Sequence, residues 1–558
     1  MRKFLITNID LKESFNTKNN LKFNFEKLEE NYIDIENGFV FQAGTFFYDG
    51  LTGKDALKKF YNEFNENLKS QIEKMQGNYF ICLKKDEYYY FLTDSNAILK
   101  TYYYINENKI IFGNILYDVV NKINKIEVNQ MNLLESSFQY SILNNETFFN
   151  KINIMSGDYV LKIKNGFSNL EKMEKEKIKP DLKFEETEKI INRISKKLRE
   201  RALMVGKNYK NIAINMTGGL DSRLVLSSYL SAGIKPILIY GIGNSLLTNT
   251  FNQDLEIVKM FSNKYNLKLI IMDWTDSTKI IETWKEGIEK FGEYSIIYGG
   301  NKNIIDGYKK LSKEIDYFEF GYFGEAYRNI EWLDESNESD IELNFLLKKY
   351  SFKNYSDILY CSDQFLNHLK NKVAENVDNK ERINRNDFIK FNIKYRFSAD
   401  TKMTNFINLF SNSSIMLGED NILQETFLIP TEYKRNSKLI IELLKRLDKS
   451  VLEIPIFSHC EIKKININSS ELINKKNSFL RKIPKALKKI KSVKNKIVLK
   501  KFLNKEIINL EKEFDINLIK NIQADLRAYT YYLFNLFLIK QLKDRNKTIE
   551  FEEIQNEK

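Results

Sequence analysis

The chain has 558 residues, 43% hydrophobic and 13% aromatic, with only 5 prolines, a length that needs two or three separate cores and a composition that excludes a disordered or fibrous protein. Its formal charge is +12, yet the stretch from Lys463 to Lys505 alone holds 15 Lys or Arg against one acid, Glu471, so the rest is close to neutral. Three scattered cysteines (Cys82, Cys361, Cys460) and two histidines (His368, His459) argue against disulfides, zinc or a Ser-His-Asp triad, make His459 beside Cys460 an ordinary core or loop pair, and fit a reducing, cytoplasmic setting.

At the start, "MRKFLITNIDLK" offers only Phe4, Leu5 and Ile6 as an apolar run, too short for a secretory signal, so the encoded N-terminus is expected to be the mature one. Residues 1–178 read as β-rich. Runs such as "GFVFQAGTFFYDG" and "GNYFICLKKDEYYYFLTDSNAILKTYYYINENKIIFGN" combine β-branched and aromatic residues with Asn, Asp and Gly punctuation, and "KINIMSGDYVLKIKNG" adds two short strands about a Ser-Gly-Asp turn. The charged stretch "EKMEKEKIKPDLK" is the predicted linker. From Phe184 to about Lys207 the period changes to that of an amphipathic helix, with Ile190, Ile191, Ile194 and Leu198 on one face.

Next comes an alternation of strand and helix: "NIAINM", a helix from Ser222 to Ala232 stopped by Gly233, "PILIYG", a helix from Asn252 to about Tyr265, and "LKLIIM". This order implies parallel strands joined by right-handed crossovers, with a site at their carboxyl ends. Beyond about residue 300 the pattern is mostly helical. The most apolar stretch, "AYTYYLFNLFLI" from Ala528 to Ile539, is short of the roughly 20 residues a membrane span needs and reads as a core helix.

Within "NIAINMTGGLDSRLVLSSYL", two glycines between a strand and a helix let backbone N–H groups converge where the helix dipole favours negative charge, a cradle for an oxyanion such as phosphate. The Thr-Gly-Gly-Leu-Asp-Ser turn, Thr217 to Ser222, resembles the Ser-Gly-Gly-x-Asp-Ser pyrophosphate loop (PP-loop) of ATP pyrophosphatases that adenylate their substrates. A β-rich domain before that loop, "QDLEIVKMFSNKYNLKLIIMD" with Asp254 after it, and "GNYFICLKKDEYYYFLTDSNAILKTYYY" resemble the asparagine synthetase family, although Ala97 to Lys100 lack its glycine and proline. The resemblance implies an α/β multidomain chain. An Ntn-type αββα sandwich would span 1–178, a parallel-sheet adenine-nucleotide α-hydrolase (PP-loop) domain 179–462, and a basic helical extension 463–558.

By the same resemblance, Thr217, Gly218, Gly219 and Ser222 hold the β- and γ-phosphates of ATP, Leu220 and Gly321 belong to the same nucleotide site, the adenine lies near Ile242 with backbone contacts from Asn215, and Asp221 with Glu325 shares Mg2+. The family's second loop matches "FGYFGEAYR", residues 320–328, which puts Tyr322 where the family has a glutamate. Lys438 in "EDNILQETFLIPTEYKRNSK" is the expected phosphate-side lysine, with Lys463 and Lys464 as alternatives; a solvated helix face shared with Lys434 and Arg435 is the other reading of Lys438. Position 2 is Arg2, where asparagine-forming members carry the nucleophilic cysteine, so glutaminase activity is expected to be lost, as in β-lactam synthetases and lasso-peptide cyclases.

The implied function is an AMP-forming carbon-nitrogen ligase. It would adenylate a small-molecule or peptide carboxylate and pass the acyl group to an external amine. Asparagine synthesis from ammonia, a non-catalytic ATP-binding scaffold in a surface-polysaccharide or peptide biosynthesis cluster, and a tRNA-modifying ligase are the alternatives; a homodimer is left open. The segment from Lys463 to Lys505 carries only Phe479 and Phe502 as aromatics and Arg481 as its sole arginine, and Pro484 interrupts it. It therefore reads as a solvated lysine face or a surface for an anionic partner, without specific nucleic-acid recognition.

Overall fold

The computed structural model describes residues 2–8, 15–16, 21–25, 31–66, 68, 70–106, 109–164, 170–174, 186–242, 252–273, 284–294, 302–328, 340–342, 355–377, 382–393, 401–458, 461–466, 471–474, 485–521, 526–552 and 554. It is a mixed α/β structure. The sequence-predicted linker falls largely outside these residues, as do His459, Cys460, Phe479, Arg481 and Pro484.

Two antiparallel sheets form the N-terminal part. One has six strands in the order Ile152–Ile154, Tyr102–Asn106, Lys109–Gly113, Phe4–Thr7, Lys22–Phe25, Phe15–Asn16. The other is built around the long hairpin of Gly38–Tyr48 and Met75–Lys85. Alternation along Gly38–Tyr48 explains the layering: Phe39, Phe41 and Ala43 point between the sheets, while Val40, Phe46 and Tyr48 point outward against Ala56, Leu57 and Phe60 of the helix Gly53–Glu63. Between the sheets Phe91 stacks on Phe112 at 4.1 Å and Phe4 on Phe80 at 5.0 Å. The far face of the six-stranded sheet, with Leu5, Tyr104 and Ile111, packs into the core shared with Leu133 and Leu134 of the helix Gln130–Phe138. Both faces of the central strands Gly38–Tyr48 and Met75–Lys85 are thus buried, which is why they read as nearly continuous apolar runs. Ala97, where the resemblance expects glycine, has φ 48°, so the chain keeps there a left-handed turn that glycine would adopt without steric cost.

The second unit is a five-stranded sheet in the order Leu269–Asp273, Ile237–Ile242, Ile212–Asn215, Tyr317–Phe320, Asn412–Ser414, every pair parallel. Successive strands go first to one side of Ile212–Asn215 and then to the other, so the crossovers diverge at its carboxyl end and leave a crevice there. The helices Thr187–Asn208, Leu220–Ser231 and Lys438–Asp448 pack together beside this sheet.

A buried ionic network joins the two units. Arg201 Nε donates to Glu419 Oε1 at 2.9 Å, and Arg201 Nη2 donates to Tyr317 and Ser414. Glu419 in turn accepts from the backbone N–H of Gly77 in the N-terminal hairpin. Glu319, fully buried in the strand Tyr317–Phe320, accepts from Tyr229 and from the Met416 N–H. Burial pushes its carboxyl up to about 7, against the pull of Arg201.

The C-terminal segment departs from the expected lysine-rich helices. Glu461–Asn466 and Glu471–Asn474 are strands of a three-stranded sheet with Ile456–Ser458, and the next described element is the helix Lys485–Phe514. Tertiary pairing with Ile456–Ser458 supplies the ladder that a single amphipathic reading overlooks. The chain then returns to the N-terminal unit. Leu526–Lys543 packs on Gln130–Phe138, with Asn535 Nδ2 donating to Ser136 at 2.7 Å, and Thr548–Phe551 pairs in parallel with Lys125–Val128. Among the described residues no helix is long and apolar enough to cross a membrane; Ala528 to Ile539 lies in a largely buried helix, as expected.

Candidate functional site

The turn Thr217 to Ser222 follows the central strand Ile212–Asn215 and opens the helix Leu220–Ser231. It is braced from within. Ser222 Oγ accepts from the Thr217 N–H at 3.1 Å and lies 3.0 Å from Thr217 Oγ1. The Gly218 N–H donates to Asp254 Oδ1 at 2.6 Å, while Asp254 Oδ2 accepts from Tyr240 at 3.0 Å. Burial raises the Asp254 carboxyl, with the Gly218 and Tyr240 hydrogen bonds pulling the other way. Two of the expected phosphate donors, the Thr217 and Gly218 N–H groups, are therefore engaged by the protein. The helix itself starts at Gly219 with no side-chain cap, which leaves the backbone of Leu220, Asp221 and Ser222 as its anion-facing end.

Arg223 holds this turn from below. It is fully buried, donating from Nη1 to the carbonyls of Val451 and Ile454 and from Nη2 to those of Pro455 and Gly218. Burial lowers its guanidinium to about 9, still charged at neutral pH. The same clamp brings in Ile456–Ser458, whose Phe457 N–H donates to Gly218 O at 3.1 Å.

The second loop follows the neighbouring strand Tyr317–Phe320 and presses against the first. A Cβ on Gly321 would lie 2.6 Å from Ser222 N, and one on Gly324 would lie 1.9 Å from Asp221 Cγ, so only glycine permits this approach. Arg328 lies at the contact. Its Nε and Nη2 pair with the two oxygens of Asp221 at 3.1 and 3.0 Å, and Nη2 reaches Glu325 Oε1 at 3.4 Å.

The structure brings together Asn215, Thr217, Gly218, Gly219, Leu220, Asp221, Ser222, Gly321 and Glu325 of the expected site. Asn215 Oδ1 accepts from Tyr308 at 2.9 Å, while its Nδ2 is buried without a partner. Ile242 is half-buried at the end of the adjacent strand. A guanidinium bridges Asp221 and Glu325, the two carboxylates expected to share Mg2+. The ring of Tyr322, which stands where the resemblance expects a glutamate, stacks on Phe320 at 5.6 Å. Lys438 is exposed, with its Nζ 4.4 Å from the centre of the Tyr433 ring. It begins the helix Lys438–Asp448, whereas the segment clamped by Arg223 follows that helix's other end, about 15 Å along the axis. The alternative Lys463 pairs in register with Ile456, one strand from the turn.

Arg328 escaped sequence reasoning, although its spacing three residues after Glu325 places the two on one turn. Asp254 stands out in the sequence only through the resemblance, because its bond to Gly218 is a tertiary contact.

No family model matches the chain, and no curated protein does. Solved structures similar to it include NMN synthetase from Francisella tularensis, at 12% identity and TM-score 0.19 over 26% of this chain, which spans only 58% of that one. U34-tRNA thiolase NcsA from Methanococcus maripaludis, with its 4Fe-4S cluster, is 12% identical at TM-score 0.21, over 66% of this chain and 84% of that one. Glutamine phosphoribosylpyrophosphate amidotransferase from B. subtilis, complexed with ADP and GMP, is 12% identical at TM-score 0.20, over 47% and 64%. Likenesses this distant carry no argument about the site.

Proposed function

We propose that this protein is an ATP-dependent carbon-nitrogen ligase of the asparagine synthetase type, with an N-terminal Ntn-like domain that no longer hydrolyses glutamine. One observation carries the reading: the Thr217 to Ser222 turn and the Gly321 to Arg328 loop meet at the carboxyl end of the central strand of a parallel sheet, where its crossovers diverge. The uncapped start of Leu220–Ser231 and Arg328 offer donors and positive charge to a polyphosphate, and the unpartnered Asn215 Nδ2 is a buried donor that a base could complete.

In the reaction, a carboxylate oxygen attacks the α-phosphorus of ATP and the bond to the β-phosphate bridging oxygen breaks, so pyrophosphate leaves and an acyl-adenylate forms. An amine then attacks the acyl carbon, loses a proton and expels AMP. The brace of Ser222 and Asp254 keeps the turn formed before ATP arrives, which spares the cost of ordering it at binding. With Arg2 Nη1 bonded to Asn412 Oδ1 at 2.6 Å, position 2 supplies no nucleophile, and the nitrogen comes from an external amine.

The purified protein, offered a panel of carboxylates with hydroxylamine as amine, should release pyrophosphate and AMP. ADP and phosphate as products would refute the ligase. A second reading, an ATP-binding protein without turnover, draws on the Tyr322 ring stacked where a glutamate was expected; nucleotide binding with no pyrophosphate release would select it.

A further inference from the structure

The bridge between Asp221 and Glu325 bears on how this site neutralises a polyphosphate. Both Asp221 oxygens are taken by Nε and Nη2 of one guanidinium, the same Nη2 reaches Glu325, and Asp221 and Arg328 are about a fifth exposed, with side-chain accessibilities of 20% and 24%. Parallel N–H to oxygen bonds of this kind are the strong, geometrically specific form of carboxylate recognition. The loop that carries Arg328 is fixed against the turn by Gly321 and Gly324, at distances that leave no room for a β-carbon. A divalent cation bound by Asp221 would have to displace a bidentate partner held in place by its own backbone.

We propose that Arg328 replaces a protein-held divalent cation at this site. Seated on Asp221 and Glu325, its guanidinium is the positive charge that meets the nucleotide's phosphates, so ATP binds without the protein ligating a metal. Asp221 and Glu325 then act as positioning residues for Arg328. This rests on the nucleotide reading above and adds the means by which the phosphates are recognised.

Titration calorimetry with ATP, in EDTA and in excess Mg2+, tests the idea together with electron paramagnetic resonance of Mn2+ added without nucleotide. The wild-type protein should bind ATP in EDTA within about threefold of its affinity with Mg2+, and R328Q should lose at least about tenfold in EDTA, which corresponds to 1.4 kcal/mol. R328K, which keeps the charge but not the fork, should lie between them. Wild type and D221N should show the same Mn2+ signal, whereas R328Q should acquire a bound Mn2+. ATP binding to the wild type only with Mg2+, a wild-type Mn2+ site abolished by D221N, or undiminished ATP binding by R328Q in EDTA would overturn the inference and leave the ligase reading standing. ATP binding under neither condition would overturn both. Should R328Q not fold, R328K and the comparison of wild type with D221N give the same decision.

Discussion

Replacing Arg201 by alanine removes the only cation bonded to Glu419 among the described contacts, and takes it from beside Glu319. Arg201 and Glu419 are nearly inaccessible, with side-chain exposures of 1% and 4%, so the charge left behind is not rescued by water. Breaking such a pair from one side costs about 3–5 kcal/mol. The pH dependence has a definite sign. Glu319 sits at about 7 in the folded protein against an ordinary 4.5, so between those values the unfolded chain binds fewer protons and stability falls as pH rises. Arg201 holds that value down; without it the folded value climbs and the loss continues above pH 7. The R201A penalty should therefore be larger at pH 8 than at pH 5.5, and Glu319→Gln in the R201A background should remove much of the difference. Urea denaturation followed by far-ultraviolet circular dichroism at the two pH values measures this. A penalty below about 1 kcal/mol at pH 8, or one no larger there than at pH 5.5, would refute the argument.

Gly324→Ala should cost about 1–3 kcal/mol, as overpacking does, and should weaken ATP binding, because the new methyl would overlap the Asp221 carboxylate; unchanged ATP titrations would count against the two-loop site. Arg223→Met leaves the carbonyls of Val451, Ile454 and Pro455 without their donor, at about 1–3 kcal/mol for an orphaned buried group, and amide hydrogen exchange should quicken at Phe457, whose N–H bonds to Gly218. Binding of polyanions through Lys463 to Lys505 should be weak, indifferent to sequence and largely lost by about 0.2 M salt; retention of RNA in filter binding at higher salt would contradict it.

The strands and helices that frame the site were legible from sequence because their signals are local. The apolar run at Ile212–Asn215, the glycines of the turn and the stripe of Asn252–Tyr265 each depend on residues within one or two turns of chain. Alternation likewise exposed the N-terminal strands, since each face meets its own apolar layer. The contacts that set the chemistry are different in kind. Asp221 and Arg328 are 107 residues apart, and Arg201 and Glu419 are 218 apart. Neither pairing leaves a trace in the local pattern: the resemblance implies a metal ligand at Asp221, and only the fold shows a guanidinium seated on it. The same holds for Lys438, whose helix Lys438–Asp448 is followed at its far end by the segment that Arg223 clamps, and for Glu461–Asn466 and Glu471–Asn474, which are strands because Ile456–Ser458 offers the first of them a ladder and they pair with each other. Local sequence determined which elements form; long-range packing decided which charges meet, because the energy of a buried charge depends on partners the chain brings from far away.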